Sequence, residues 1–261
     1  HNIVRRWPTN AIKDPNGYIM PHNEGLQLMD GGRTSREDDY TNQQISLIAH
    51  PVKGLTIKAE NNYNTTTYFT HGEIFPIYWH DKDGNPIAAK WDDWKQAGLS
   101  EVSEQAQKVN YFSGRYFAEY AREWGKHDFK VVGGLDLEVR KYRNLSGSKK
   151  DIITSEVPTI NTATNDKPGL SGGYNHWSTM GMFARVNYAY DSRYLVELSL
   201  RRDGSSRFIG DKTWATFPSF SLGWNVANED FFKPLKNTIS ELKLRGSWGA
   251  LGNTNTKALY P

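Results

Sequence analysis

Cysteine is absent from the 261 residues, which excludes disulfide frameworks, thiolate catalysis and cysteine metal sites. No run approaches the ~18 consecutive apolar residues of a transmembrane helix. Helical spans are therefore excluded, while barrel strands, which are half polar and carry a weak hydropathy signal, stay open. Charge of one sign is also scarce. Lys and Arg total 32 against 29 acidic residues, a net charge of +3, and the bases are scattered among the acids, so nucleic acid is not expected as a partner. The seven His are dispersed without H-E-x-x-H or comparable spacing, and neither a metal nor a cofactor is expected. A signal-peptide pattern is missing after His1, and the chain stops at Tyr260-Pro261 just after strand-like sequence, which reads as a piece of a longer chain.

What is present is aromatic and alternating. Aromatic residues make up 13%, with nine Trp and fourteen Tyr, while only 37% of residues are hydrophobic. That combination suits membrane barrels with aromatic girdles, and equally carbohydrate-handling sandwiches. The clearest alternation lies in Phe183–Phe208. Met182, Ala184, Val186, Tyr188 and Tyr190, then Tyr194, Val196, Leu198 and Leu200, fall on one side. Arg185, Asn187, Glu197, Ser199 and Arg201 fall on the other. A period of two on both sides of Asp191-Ser192-Arg193 predicts an antiparallel hairpin with one apolar and one polar face.

The same pattern recurs along the chain. Dense turn formers and the charged patch Arg33–Asp39 predict an irregular segment over residues 1–41. Gln43–His50 and Leu55–Tyr63 then predict a hairpin about Pro51–Gly54. A long insertion, 67–106, carries the turn Asp81-Lys82-Asp83-Gly84-Asn85, the aromatics Tyr78, Trp79, Trp91 and Trp94, and an expected short helix around Asp92–Gln105. Lys108–Arg122 and Asp128–Tyr142 form the next pair, followed by an expected loop over Arg143–Trp177. After the Phe183–Phe208 hairpin and a loop from Asp203, strands are predicted over Trp214–Val226 and Glu241–Leu251. Between these two, Asn228 is the expected N-cap of a short helical turn.

The reading is all-β, with about eight strands whose connections alternate long and short. Long loops at one end and short turns at the other are the pattern of outer-membrane barrels. Tyr120, Trp124 and Phe129, then Tyr188, Tyr190 and Tyr194, then Trp224, Phe231 and Phe232, mark successive short turns as a headgroup-level girdle. A Lys or Arg facing lipid at the midplane costs roughly 2–4 kcal/mol. The clean strands keep their charges on one face, so the membrane reading is preferred. The candidate lumen-lining residues are Asp136, Glu138, Arg140, Arg185, Glu197, Arg201, Lys243 and Arg245.

Other signals have simpler readings. Gly169-Leu170-Ser171-Gly172-Gly173 fits G-x-S-x-G, but a nucleophile elbow needs a strand before it and a helix after it, and here a flexible loop is the better reading. Asp81–Asn85 begins like a calcium loop without the distal Glu, so a turn at a loop tip is expected. Asp136, Glu138 and Arg140 lie side by side on one strand face, and lumen lining is favoured over catalysis; no enzyme is expected. Tyr78, Trp79, His80, Trp91 and Trp94 are candidate contacts for substrate or a partner, the alternative being a small core of the loop itself.

Four segments in order carry a resemblance. They are Phe183–Tyr190 (FARVNYAY), Arg201–Phe208 (RRDGSSRF), Phe217–Trp224 (FPSFSLGW) and Leu242–Asn253 (LKLRGSWGALGN). Together they resemble the SusC/RagA-like family of TonB-dependent outer-membrane transporters of Bacteroidetes-type bacteria. The resemblance implies a barrel of ~22 strands around a plug. Residues 1–261 would then be a partial barrel domain, with the plug and remaining strands absent. It further implies location in the outer membrane of a Gram-negative bacterium, contact with outer-membrane lipid, a SusD-like surface lipoprotein as lid, and energy from TonB and its inner-membrane motor through segments not in this chain. The cargo would be an oligosaccharide or a peptide. Two rivals are a self-contained eight-stranded barrel, in which Gln43–His50 pairs with Glu241–Leu251, and a soluble carbohydrate-binding or carbohydrate-active β-protein.

Overall fold

A computed structural model describes residue 11 and residues 13–20, 25–89 and 97–252. Ten strands follow one another: β1 (Thr34–Val52), β2 (Leu55–Ile74), β3 (Tyr78–His80), β4 (Pro86–Ala88), β5 (Glu101–Trp124), β6 (His127–Lys150), β7 (Gly169–Tyr190), β8 (Tyr194–Ser205), β9 (Trp214–Asn225) and β10 (Lys243–Gly249). β3 and β4 form a small hairpin, and the other eight form one antiparallel sheet in chain order, from β1 at one edge to β10 at the other. β1 and β10 are not neighbours, so the closed eight-stranded barrel is dismissed.

The chain divides into two compact units. The first (His1–Tyr40, Thr66–Lys108, Tyr142–Tyr174) contains both long connections, 75–100 and 151–168, and the β3–β4 hairpin. Its buried apolar residues are Ile77, Leu99, Val102 and Ala163. The second (Thr41–Thr65, Val109–Lys141, Asn175–Pro261) contains the tight turns between β1 and β2, β5 and β6, and β7 and β8. Backbone bonds tie each of these turns to the following strand pair: Ala121 N–H donates to Gly54 O at 2.8 Å, Asp191 N–H to Lys126 O at 2.6 Å and Asn225 N–H to Arg193 O at 2.7 Å.

Two segments expected to be irregular are strand. Arg143–Trp177 was expected as one loop, but β6 continues to Lys150 and β7 starts at Gly169. The patch 33–39 enters β1 from Thr34. Backbone pairing, rather than an apolar face, holds these lengths extended. β5 and β6 reach 24 residues each, about twice the 9–11 residues that a tilted strand needs to cross a bilayer. The surplus needs no apolar face, and alternation is lost there. The short helix expected around Asp92–Gln105 is also corrected: 101–105 open β5, and 90–96 lie outside the described residues. Asn228 caps no helix, because the turn Asp230–Leu235 starts after Glu229 and lacks a side-chain cap. The Asn228 amide instead donates to Ser192 O at 3.0 Å.

The register of β7 to β10 shows the two faces directly. Val186, Leu198, Phe220 and Trp248 form one cross-strand row. Asn187, Glu197, Ser221 and Ser247 form the adjacent row on the opposite face. The apolar row is not a core: Leu198 is 54% exposed, Phe220 44% and Trp248 58%. Among the described residues of the second unit, only Val226, Ala227 and Phe232 make a buried apolar cluster, under the β9–β10 connection. Burying so little apolar surface does not build a soluble sandwich of this size.

Candidate functional site

The polar face of the second unit carries a charged ladder. Asp136 on β6 accepts hydrogen bonds from Arg115 Nε at 2.8 Å, on β5, and from Arg201 Nη1 at 2.9 Å, on β8. Arg201 also donates through Nε to Asp203 at 2.9 Å. To reach Asp136, Arg201 must lie across β7, and it does so at Gly181, where an added Cβ would meet the Arg201 guanidinium and, at 2.5 Å, Asp203 Oδ1. The glycine is the slot that lets the ladder form.

Beside the ladder, Glu138 accepts from the Tyr111 hydroxyl at 3.0 Å and from Thr179 Oγ1 at 3.1 Å. Tyr111 meets Trp177 edge-on, with centroids 6.4 Å apart, and the Arg207 guanidinium lies 4.5 Å from the Trp177 ring centroid. Tyr111, Glu138 and Thr179 line a concavity of about 560 Å³ together with Arg115, Asp136, Arg201 and Asp203 among others. Its wall holds one buried acceptor without a hydrogen-bond partner among the described residues, Asn62 Oδ1. A second concavity of about 600 Å³ is lined by Arg185, Glu197, Lys243 and Arg245, with the Lys130–Glu119 ion pair at 2.8 Å on its border. Fixed charges of both signs, an unpaired acceptor and an aromatic ring can hold hydroxyl, amide and charged groups without covalent chemistry.

The structure thus gathers Asp136, Glu138 and Arg201 at the first concavity and Arg185, Glu197, Lys243 and Arg245 at the second. Arg140 shares the alternation of Asp136 and Glu138 but lines neither. Sequence reasoning missed Arg115, Tyr111, Trp177, Asp203 and Arg207. The alternation of Trp177 with Thr179, Gly181 and Arg185 could have placed Trp177, whereas the irregular β5 pattern hid Tyr111 and Arg115.

The aromatic loop cluster lies in the first unit. Tyr78, Trp79 and His80 form β3, paired with Ala88, Ile87 and Pro86, and His80 stacks on Tyr18 at 5.9 Å. Trp91 and Trp94 lie outside the described residues. The turn after His80 is closed by Asp81, whose carboxylate accepts from Asn85 Nδ2 at 3.0 Å and from the backbone N–H of Asn85 and Asp83 at 2.8 and 2.9 Å. These bonds, that of the Asn85 side chain first, hold the Asp81 carboxyl below its ordinary range. Among the described residues no group of three His, Asp or Glu could hold a metal ion. Gly169–Gly173 opens β7 as plain strand, without the strand-to-helix turn of a nucleophile elbow.

An antiparallel sheet with an exposed apolar face and a charged opposite face is the wall of a transmembrane β-barrel. No family model matches the chain. Individual proteins do. The chain is 36% identical over 157 residues to the TonB-dependent receptor SusC of Bacteroides thetaiotaomicron, covering 59% of the chain and 15% of SusC. It is 47% identical over 145 residues to the TonB-dependent receptor P39 of Formosa agariphila, covering 54% of the chain and 14% of the relative. Among solved structures, that of the RagAB peptide transporter superposes with a TM-score of 0.75 at 22% identity, covering 89% of the chain and 24% of the matched chain. The chain is thus similar to SusC/RagA-like TonB-dependent receptors, and it spans about 15% of the length of the curated relatives it matches.

Proposed function

We propose that this chain forms part of the wall of an outer-membrane, TonB-dependent nutrient importer. The observation that carries the proposal is the separation of the two faces across β7 to β10, where the row Val186–Leu198–Phe220–Trp248 backs onto the row Asn187–Glu197–Ser221–Ser247. The first row faces lipid and the second faces a wet import path. Asp136, Glu138, Arg140, Arg185, Glu197, Arg201, Lys243 and Arg245 line that path, joined by Arg115, Tyr111 and Trp177. The tight turns lie on the periplasmic side and the long connections outside the cell. Residues 1–261 belong to one barrel domain, whose plug and remaining strands are supplied by other parts of the receptor.

The cargo is an oligosaccharide or a peptide, captured with a SusD-like surface lipoprotein and released inward by TonB and its inner-membrane motor. The likeness to the RagAB peptide importer supports import, and the likeness to the TonB-dependent receptor SusC supports dependence on TonB. Tyr78, Trp79 and His80 in the β3–β4 hairpin are the loop residues assigned to cargo or lipoprotein contact. This role is transport, not catalysis. Expression of the intact gene followed by membrane fractionation tests the reading: the protein is recovered in the outer membrane, and recovery in the soluble fraction overturns the proposal.

A further inference from the structure

The apolar face of β8 ends in a charge. Tyr194, Val196, Leu198 and Leu200 alternate along it, and the next residue on the same face is Arg202, paired with Met182 on β7 and Thr216 on β9. None of β7, β8 or β9 carries an acidic residue on this face, and among the described residues no carboxylate forms an ion pair with Arg202. The guanidinium lies 5.5 Å from the centroid of the Trp214 ring. The indole is itself seated. Trp214 pairs with Gly204, and a Cβ added at Gly204 would stand 2.9 Å from three atoms of the indole ring. Gly204, Trp214 and Arg202 are therefore stacked on the outward side of the wall, with Arg202 exposed.

The height of this stack identifies what it meets. From Tyr194 to Arg202 the strand runs about 27 Å at ~3.4 Å per residue. A tilt of ~35–45° reduces that to about 20 Å, close to the edge of an apolar band ~25 Å tall. Arg202 thus lies at the headgroup level farther from the tight turns. Lys212, exposed in the turn Gly210–Thr213 just before Trp214, adds a second cation, beside the exposed Asp211 in the same turn. A guanidinium held against an indole, with a lysine two residues before that indole, matches an anionic oxygen cluster.

We propose that Arg202, Trp214 and Lys212 form a binding site for the phosphate of a membrane glycolipid in the outward-facing leaflet. The site rests on the lipid-facing assignment made above. The guanidinium donates two hydrogen bonds to phosphate oxygens, Lys212 adds charge, and Trp214 holds the guanidinium at headgroup depth while its ring contacts the sugar–acyl boundary.

The full receptor in phosphatidylcholine nanodiscs tests this. The discs are doped with a phosphorylated glucosamine-disaccharide glycolipid or with its dephosphorylated counterpart, and retained lipid is counted by native mass spectrometry. The wild type retains the phosphorylated form several-fold over the dephosphorylated form, Arg202→Gln with Lys212→Gln removes most of that preference, and excess inorganic phosphate does not displace the lipid. Equal retention of both glycolipids by the wild type, an unchanged preference in the double variant, or full displacement by inorganic phosphate overturns the site. A fluorophore on Leu198→Cys, quenched by brominated acyl chains, separates the two levels. Quenching without phosphate preference sinks the site alone, and absence of quenching sinks the lipid-facing assignment with it.

Discussion

Trp214 and Trp224 close the two ends of the outward face of β9, the first paired with Gly204 and the second with Tyr194. Thr216, Pro218, Phe220 and Leu222 alternate between them. A separation of about ten residues is the length a tilted strand needs to cross a bilayer. Each indole is anchored differently: Trp214 lies on Gly204 under Arg202, and Trp224 donates its Nε1–H to Glu229 at 3.0 Å. The Trp224 end continues as a row through Tyr194 to Tyr190, and below it Trp124, His127 and Tyr188 join the β5–β6 turn, with His127 Nδ1 2.8 Å from the Tyr188 hydroxyl. On the proposed lipid-facing assignment, the two Trp residues are placed as the anchors of the two membrane interfaces.

A charge placed between those interfaces is then costly in proportion to its depth. Leu198, flanked across the sheet by Val186 and Phe220, lies near the middle. Leu198→Arg should lower the stability of the membrane-folded receptor by roughly 2–4 kcal/mol, and Thr216→Arg, near the edge, by about 0–1 kcal/mol. Urea unfolding from lipid vesicles measures both. Equal costs at the two positions would remove the depth argument.

How much of this was legible in the sequence depended on where the membrane is. Around the tight turns, lipid imposes alternation, and Leu55–Tyr63, Asp128–Tyr142 and Phe183–Phe208 were read as strands. Beyond it, nothing requires an apolar face. Gly169–Trp177 looks like a Gly-rich loop, yet it pairs beside the outer part of β6, where a Cβ at Gly173 would stand 2.6 Å from the Asn144 side chain. Of the polar face, Asp136, Glu138 and Arg201 were visible because their strands alternate cleanly. The partnership among them was not, because it depends on Gly181 lying between Arg201 and Asp136.

That partnership predicts coupling across three strands. Asp136→Asn leaves the Arg115 and Arg201 guanidinium groups, 60% and 42% exposed, without their shared carboxylate. Partial exposure limits the loss to about 1–2 kcal/mol. A double-mutant cycle with Arg201→Gln should return a coupling of ~0.5–3 kcal/mol that shrinks in high salt. Gly181→Ala, which blocks the path of the arginine side chain, should abolish most of the same coupling. Additive single effects would mean that the ladder is not a unit.

The β9–β10 connection predicts an acid-side loss of stability. The Glu229 carboxyl is held below its ordinary range by the Trp224 indole N–H, then by the Tyr194 hydroxyl and the positive charge of Arg193. Because the folded value is the lower one, the stabilisation is complete above the ordinary Glu value of about 4.3 and is lost as pH falls through the folded value. Glu229→Gln should therefore flatten the pH dependence of the unfolding midpoint below about pH 4.3. A variant with the same acid-side slope as the wild type would assign that slope to other groups.

The turn between β7 and β8 predicts a stabilising change. Asp191 and Ser192 both adopt φ of 53°, and Arg193 N–H closes the turn on Tyr190 O at 2.9 Å. Two consecutive left-handed residues match the right-handed twist of a hairpin but strain any residue with a Cβ. Asp191 offsets its strain through its carboxylate, 2.9 Å from Lys126 Nζ and 3.3 Å from Arg193 Nε. Ser192 contributes its backbone oxygen, which accepts from the Asn225 and Asn228 amides at 2.7 and 3.0 Å, and glycine would present that oxygen equally well. Relief of ~1–2 kcal/mol of left-handed strain outweighs the ~0.5–1 kcal/mol of added chain entropy, so Ser192→Gly should gain about 0.5–1 kcal/mol. Asp191→Gly should gain less or lose stability, because it also deletes two ion pairs, and Ser192→Val should be destabilising. Urea midpoints for the three variants decide the matter: if Ser192→Gly falls with Ser192→Val, the hydroxyl rather than the backbone conformation holds the turn.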